Sequence, residues 1–523
     1  MRFLPKEIRL VDGIILLIVL LVFSMIFGRL VSPQRFNYDE SDYMYAASKG
    51  LLASYLDRPS ISVVDFMRTG IQRGLHSSEW RGLSDYIRQR DDITLYRHFH
   101  APLYFYWLRV FQMLFGSQEF RVRWTSMTSL MLMASIFYFG SFALLGRAGR
   151  LLGMLAAGLL LMSPTNIETA RWISPHSLYS ACSLATLLFL AKLVQTNDLR
   201  FLFGSLVCLG LALATIEYAP LLVLVLLMTV YLRRSALFPR WSPKELFRFW
   251  LLCGAMILFE IAAFWPAGLY KLDIVKNYLF FLYFATIRSH AAYGTESLAH
   301  LWWARIVSSP VEYFVLISMS CYFLYLFWRR RAPLELTPFF LYATLMFLTT
   351  LRNRSESAYY VSSLVAALDF VSAYLLWMLL QSQHKLRSGI VAFILLVIAA
   401  NNFYFYYRPV SRSSPDETTT ALIDMLSQSG VQEERLLVPR LYQPMVHYYF
   451  QGANISSYPE DQTTQQIFNE LRANGLEGLV YEGTDFDGLG KILQTNWSVQ
   501  SVIKPESDRL GRAVAYYRLR SMR

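Results

Sequence analysis

Directly after the first apolar run of the chain, Asn37-Tyr38-Asp39-Glu40 sets two carboxylates side by side. An acid pair facing water at a membrane boundary has no obvious packing role. A carboxylate ionised at neutral pH can, however, take a proton from an attacking hydroxyl. His98-Phe99-His100-Ala101-Pro102-Leu103-Tyr104 follows before a long series of further apolar segments. This order points to a membrane-embedded enzyme with its acid/base group on the first external loop. The bland reading of Asp39 and Glu40 is a pair of first-turn acids, which the helix dipole favours. Asp42 reads as a solvated residue or local cap, and Asp39 with Asp42 is too small a set for a metal site.

Other groups could hold an anion. Arg121 and Arg123 stand where a helix enters the outer interface, and both snorkelling and phosphate binding account for them. Arg352 and Arg354 fall on the outer side, against the prevailing charge bias, so phosphate contact and plain exposure both fit. His98 and His100 either cap the helix that begins near Pro102 or reach a phosphate or acceptor. Tyr359 and Tyr360 are belt aromatics or donor contacts. Glu217 is expected to face outside water, Glu260 to be a buried, partnered acid, and Trp302-Trp303 to anchor the interface.

The elements that must carry these groups are mostly membrane spans. Of 523 residues, 55% are hydrophobic and 16% charged, against about 25% charged in ordinary soluble proteins. Repeated apolar runs with short basic punctuation read as an α-helical polytopic membrane protein. The net charge of +12 is spread between those runs. Positive-inside topology explains that spread, and no nucleic-acid partner is expected. Residues 13–31 read as a retained first helix rather than a signal peptide. Eleven spans are expected near 13–31, 123–146, 151–165, 175–192, 200–216, 219–232, 246–266, 310–328, 335–351, 357–380 and 388–407. They put every basic cluster on the inner side, the N-terminus in the cytoplasm and the C-terminus outside. Leu103 to Phe115 is too short to span and is expected to lie along the outer interface, with Arg109 and Gln112 on its polar side. Cys182, Cys208, Cys253 and Cys321 fall in apolar segments and read as buried thiols.

Two external loops are long, about 32–122 and 267–309, and long loops on one side suggest a site there. Ser41 to Tyr55 and Ser60 to Arg90 have the spacing of interfacial helices within the first. The membrane domain is expected over 1–408. Beyond the Pro409 to Pro415 linker, residues 409–523 read as a small soluble α/β domain on the outer side. Its apolar runs at Leu436–Val438, Gly478–Tyr481 and Ala513–Leu519 alternate with helical patterns at Thr418–Ser427, Thr463–Ala473 and Gly488–Thr495.

The ordered set resembles the C-type (GT-C) membrane glycosyltransferases, specifically the family shared by protein O-mannosyltransferases and aminoarabinose lipid A transferases. The motifs that carry it are Tyr38 to Ala46, His100 to Tyr104, Phe115 to Arg123, Ser163-Pro164, Arg171 to His176 and Arg352 to Tyr360, covering residues 1 to about 407. The resemblance implies transfer of one sugar from a polyprenyl-phosphate donor to a glycan, lipid or protein acceptor at the periplasmic face of a bacterial inner membrane. Asp39 would be the base of an inverting displacement, and Glu40 would position it or bind polar groups of the substrates. His100, Arg121, Arg123, Arg352 and Arg354 would hold the donor phosphate. Tyr359, Tyr360, Arg171 and His176 would contact donor or acceptor. The phosphate leaving group departs readily once cations hold its charge, so neither a strong general acid, a metal nor a cofactor is expected. The chain departs from the lipid A branch in having Ser174 at a position where some members carry an acid, and in lacking that branch's lysine after the histidine element. The alternative reading is a transporter or flippase of lipid-linked sugars, which calls for paired halves or ionisable groups at mid-membrane. A third is a non-catalytic assembly subunit that works through its C-terminal domain.

Overall fold

The computed structural model describes residues 10–31, 35–49, 101–216, 218–270, 298–351, 358–381, 385–407, 417–431, 434–439, 442–450, 453–458, 463–483, 497–503 and 513–521, with a few isolated positions besides. His100, Arg352, Arg354, Glu217 and most of both long loops lie outside them, as does half of the helix expected at 488–495.

In chain order the helices begin with α1 (Leu10–Phe27), α2 (Tyr38–Lys49), α3 (Leu103–Phe115), α4 (Glu119–Leu145), α5 (Gly149–Met162), α6 (Pro164–Ala170) and α7 (Pro175–Thr196). There follow α8 (Leu199–Leu213), α9 (Pro220–Leu237), α10 (Pro243–Phe264), α11 (Pro266–Tyr270), α12 (Leu298–Ser308), α13 (Pro310–Trp328) and α14 (Thr337–Thr350). The last are α15 (Ser362–Gln381), α16 (Lys385–Asn401), α17 (Glu417–Gln428), α18 (Gln443–Tyr449) and α19 (Thr464–Asn474). Among the described residues, seven segments are long and apolar enough to cross a membrane, and Leu199–Leu213, Leu334–Thr350 and Phe393–Tyr404 are shorter apolar helices. Each of the eleven expected spans coincides with a helix. Proline opens α6, α7, α9, α10, α11 and α13, where its missing N–H costs nothing and its fixed φ suits the first turn. Ser242 and Glu245 add a reciprocal capping box to α10.

The chain divides into two compact units. The first holds Met1–Val31, Gly50–Gly116 and Arg121–Arg412, and its core forms around α7 and α15, which are buried on most of their surface. Here α5 runs back along α4, and glycine permits the approach. A Cβ at Gly149 would lie 2.0 Å from the Ser141 carbonyl oxygen, and one at Gly153 would lie 2.8 Å from that of Tyr138. Small residues four apart let membrane helices meet backbone to backbone.

Three expectations are corrected in this unit. In α3, Gln112 is buried, while Val110, Met113 and Leu114 are exposed. The helix therefore presents an apolar face outward and turns the amide in. Glu260 is half-buried, and its Oε2 finds no hydrogen-bond partner among the described residues and crowds Gly210. Only Cys253 is buried; Cys182 and Cys208 are half-buried and Cys321 is exposed on α13, since an apolar span also has a lipid-facing side.

The second unit gathers Ser32–Lys49, Ser117–Phe120 and Ser413–Arg523. Its described residues form five strands, β1 (Arg435–Pro439), β2 (Asn454–Tyr458), β3 (Gly478–Gly483), β4 (Trp497–Ile503) and β5 (Ala513–Ser521), in the order β2-β1-β3-β5-β4. The first three are parallel; β5 runs antiparallel to β3 and β4. Alternate side chains fill two cores. Leu436, Val438, Val480 and Tyr516 face one with Leu422 and Leu426 of α17, whereas Leu437, Leu479, Tyr481 and Tyr517 face the other with Ile467 and Leu471 of α19. The expected runs became β1, β3 and β5. The two strands the pattern did not reveal, β2 and β4, are the edges, where Asn454, Ser456 and Ser457 dilute the apolar signal.

Candidate active site

The acid pair opens α2 inside the second unit. The Asn37 N–H donates to Glu40 Oε2 at 3.2 Å, and the Glu40 N–H donates to Asn37 Oδ1 at 2.9 Å. This reciprocal pairing has the form of a capping box, with Asn37 before the first turn and the acid three residues on. Glu40 is 1% exposed, and its carboxylate accepts the Asn37 N–H. Asp39 stays partly exposed at the neighbouring position. The two acids are thus physically distinct, one a structural cap and the other presented at the surface of the helix.

What holds α2 comes from far along the sequence. Phe36, Glu40, Tyr43, Met44 and Ala47 form a buried face at helical spacing, packed on α18. The Phe36 N–H donates to the Tyr449 hydroxyl at 2.8 Å, and that hydroxyl donates to Glu119 Oε1 at 2.9 Å. Arg35 reaches the same Glu119 oxygen at 3.1 Å and Asp424 at 3.2 Å, with its guanidinium 5.5 Å from the Tyr449 ring centroid. Burial, with the charge of Glu119 and offset by the Phe36 N–H, raises the Tyr449 hydroxyl well above the usual tyrosine value. The sequence had shown none of these partners, because α18 and Asp424 look like ordinary parts of the C-terminal domain.

In the first unit, several predicted groups meet at the ends of α4, α7, α9 and α15. Arg123 is fully buried and lies 5.2 Å from the Trp172 ring centroid; Arg171 lies over the same ring at 5.2 Å. Glu168 fixes that corner, accepting from Arg171 at 3.1 Å, from the Trp172 indole at 3.1 Å and from the Tyr406 hydroxyl at 2.5 Å. One turn beyond Arg123, the Ser126 hydroxyl meets Tyr104 at 2.9 Å and accepts the Ser174 N–H at 2.9 Å. His176 is buried in an aromatic box, with ring centroids of Tyr359 at 4.9 Å, Tyr360 at 5.6 Å and Tyr218 at 5.6 Å. Two guanidinium groups over one indole can hold an anionic head, and an imidazole among three phenol rings can stack against a sugar. Arg121 does not join it; exposed, it donates to the Phe115 carbonyl at 3.2 Å.

A second polar cluster was not anticipated. Glu312, at the start of α13, accepts from the Ser163 hydroxyl at 2.5 Å and from Thr165 at 2.7 Å. Asn166 Nδ2 bridges Ser163 at 2.9 Å and Asp369 of α15 at 3.2 Å. All five residues are buried. An acid within an apolar span, as Asp369 is, was the visible signal.

Residues 99–265 match the family described as dolichyl-phosphate-mannose-protein mannosyltransferase. No curated protein's sequence matches the chain. Among solved structures, the chain is similar to ArnT from Cupriavidus metallidurans bound to undecaprenyl phosphate, with a TM-score of 0.61 at 14% identity over 96% of this chain and 97% of that one. The apo state of the same protein gives 0.60 at 12% identity, with the same coverage. The GT-C-type fold implied by the sequence motifs is therefore the fold of this chain, in a multi-pass membrane protein with a small C-terminal sheet region.

Proposed function

We propose that this GT-C-fold membrane protein moves a single sugar from a polyprenyl-phosphate donor to an acceptor at the periplasmic face, by inverting displacement with Asp39 as the base. The observation that carries the reading is the unequal fate of the acid pair: Glu40 caps α2 and Asp39 remains presented. Asp39 would take the proton of the acceptor hydroxyl as its oxygen attacks the anomeric carbon, and the bond to the phosphate oxygen would break on the opposite side. Arg123 and Arg171 would hold the charge of the departing polyprenyl phosphate, which favours the transition state as charge builds there. His100, Arg352 and Arg354 remain proposed phosphate contacts, and His176 with Tyr359 and Tyr360 would stack against the sugar. The undecaprenyl phosphate bound by a protein of the same fold supports a lipid-phosphate donor. The proposed reaction runs without a metal or cofactor, in a bacterial inner membrane, with the N-terminus cytoplasmic and residues 409–523 periplasmic as the C-terminal domain.

The test is transfer of labelled sugar from polyprenyl-phosphate donors to a crude acceptor fraction in membranes holding wild type or Asp39→Asn at equal abundance. Transfer by wild type and none by the variant is the expected result. Undiminished transfer by the variant overturns the role of Asp39.

A further inference from the structure

At the other end of the spans that carry His176 and Tyr218, the first unit holds a cavity of about 540 Å³ that no part of the transfer chemistry uses. The distance is set by α7: Val194, in the cavity wall, lies 18 residues beyond His176, roughly 27 Å along the helix. The wall is formed by the ends of α7, α9 and α13 and the start of α14, and it is almost wholly apolar, with Phe327 and Leu334 half-exposed at its rim.

Four polar side chains break that apolar wall, Thr337 and Thr344 on α14 and, one helical turn apart on α9, Thr229 and Arg233. Thr229 is 2% exposed, and its hydroxyl has no hydrogen-bond partner among the described residues. Arg233 donates through Nη2 to the Val194 carbonyl at 3.1 Å and to Asn197 Oδ1 at 2.9 Å, while its Nε is buried and likewise unpartnered. A buried donor without a partner costs free energy that an acceptor entering the cavity would recover. The surroundings favour an anion: Arg329, Arg330 and Arg331 follow the end of α13 beside Phe327. The neighbouring acid Glu335 already accepts from the Tyr374 hydroxyl.

We propose that this groove is a binding site for an anionic phospholipid, one acyl chain lying in the apolar cavity and the phosphate accepting from Arg233 and Thr229. The occupant is a bilayer phospholipid rather than the polyprenyl-phosphate carrier, because a carrier phosphate seated here would stand most of a membrane thickness from Arg123 and Trp172. The site is independent of the proposed transfer reaction.

The experiment is native mass spectrometry of the full chain, released from vesicles holding equal amounts of phosphatidylglycerol and phosphatidylethanolamine with a trace of polyprenyl phosphate. Both lipids offer the phosphate, but the ammonium of phosphatidylethanolamine is repelled by Arg233 and the arginines after α13, so wild type should retain phosphatidylglycerol over it by about tenfold, the scale of one partly shielded charge pair. Arg233→Gln should bring the two lipids near parity. Because Arg233 also ties α9 to the end of α7, Leu341→Trp supplies a second variant that fills the cavity and leaves the arginine; it should lose the bound lipid. Arg234→Gln, whose side chain lies over Tyr231, should keep the preference. Retention without headgroup preference, equal losses in the two arginine variants, or capture of polyprenyl phosphate in place of phospholipid would each overturn the proposal.

Discussion

Arg35 and Asp424 stand 389 positions apart and meet through two contacts, with Nε at 3.3 Å and Nη2 at 3.2 Å from one carboxylate oxygen. Their side chains are 40% and 46% exposed, so the pair contributes no more than about 1 kcal/mol. Phe36 beside it is completely buried, and burial of such a ring contributes about 1.5–3 kcal/mol. The ring is the stronger anchor and the ion pair sets its register. The α/β region is thereby part of what holds the helix of Asp39.

Tyr449→Phe tests that anchoring. The substitution keeps the ring against Phe36 and removes the hydroxyl shared by the Phe36 N–H and Glu119, at a local cost of about 1–3 kcal/mol. Amides of residues 38–49 should exchange hydrogen faster by roughly the corresponding factor, with β1 and β3 unchanged. Equal exchange in α2 would mean that the hydroxyl does not hold the helix.

Replacing Glu40 separates capping from catalysis. Glutamine also serves at the third position of a capping box, so Glu40→Gln should retain most transfer activity. Glu40→Ala should lose about 0.5–2 kcal/mol of helix stability and a matching part of the activity. Complete inactivation by Glu40→Gln would make Glu40 a reacting group.

Arg123→Lys keeps a charge but gives up the planar group above Trp172 and its forked donors. The expected loss in kcat/KM for the lipid-linked donor is about 10- to 100-fold, from one charged hydrogen bond of about 1.5–3 kcal/mol. Donor titration in membranes reads it directly. Unchanged donor kinetics would restrict Arg123 to packing.

Alkali should weaken the second unit through Tyr448. Burial first, and the charge of Glu119 second, push its hydroxyl up to about 12 from the ordinary value of 10.0. The folded state therefore favours the neutral phenol. That stability is fully present below pH 10 and is lost as pH rises towards about 12. Thermal unfolding from pH 9 to 12 should show a smaller alkaline loss in Tyr448→Phe than in wild type. Equal losses would trace the weakness to another group.

The Glu312 cluster predicts a purely structural effect. Glu312→Ala strips the acceptor from the Ser163 and Thr165 hydroxyls, and each buried group left unpaired costs about 1–3 kcal/mol. The melting temperature in detergent should fall by several degrees. No fall would show that the corner rearranges to satisfy both hydroxyls.

The positions of the spans, the start of helices at proline and the three central strands were written locally, in apolar run length, backbone restriction and two-residue alternation. Asp39 and Glu40 could be singled out because an acid pair next to an apolar span is visible in one line of sequence. Their division was not visible, since it depends on which carboxylate turns back onto Asn37. Arg121 and Arg123 show the limit plainly. Two residues apart, they lie about 200° apart around a helix, and nothing local says which side is covered. Packing buried Arg123 against Trp172 and left Arg121 exposed. His176 met Tyr359, and Arg35 met Asp424, for the same reason: local pattern sets which segments become helix or strand, and only the way those segments pack decides which side chains share a pocket.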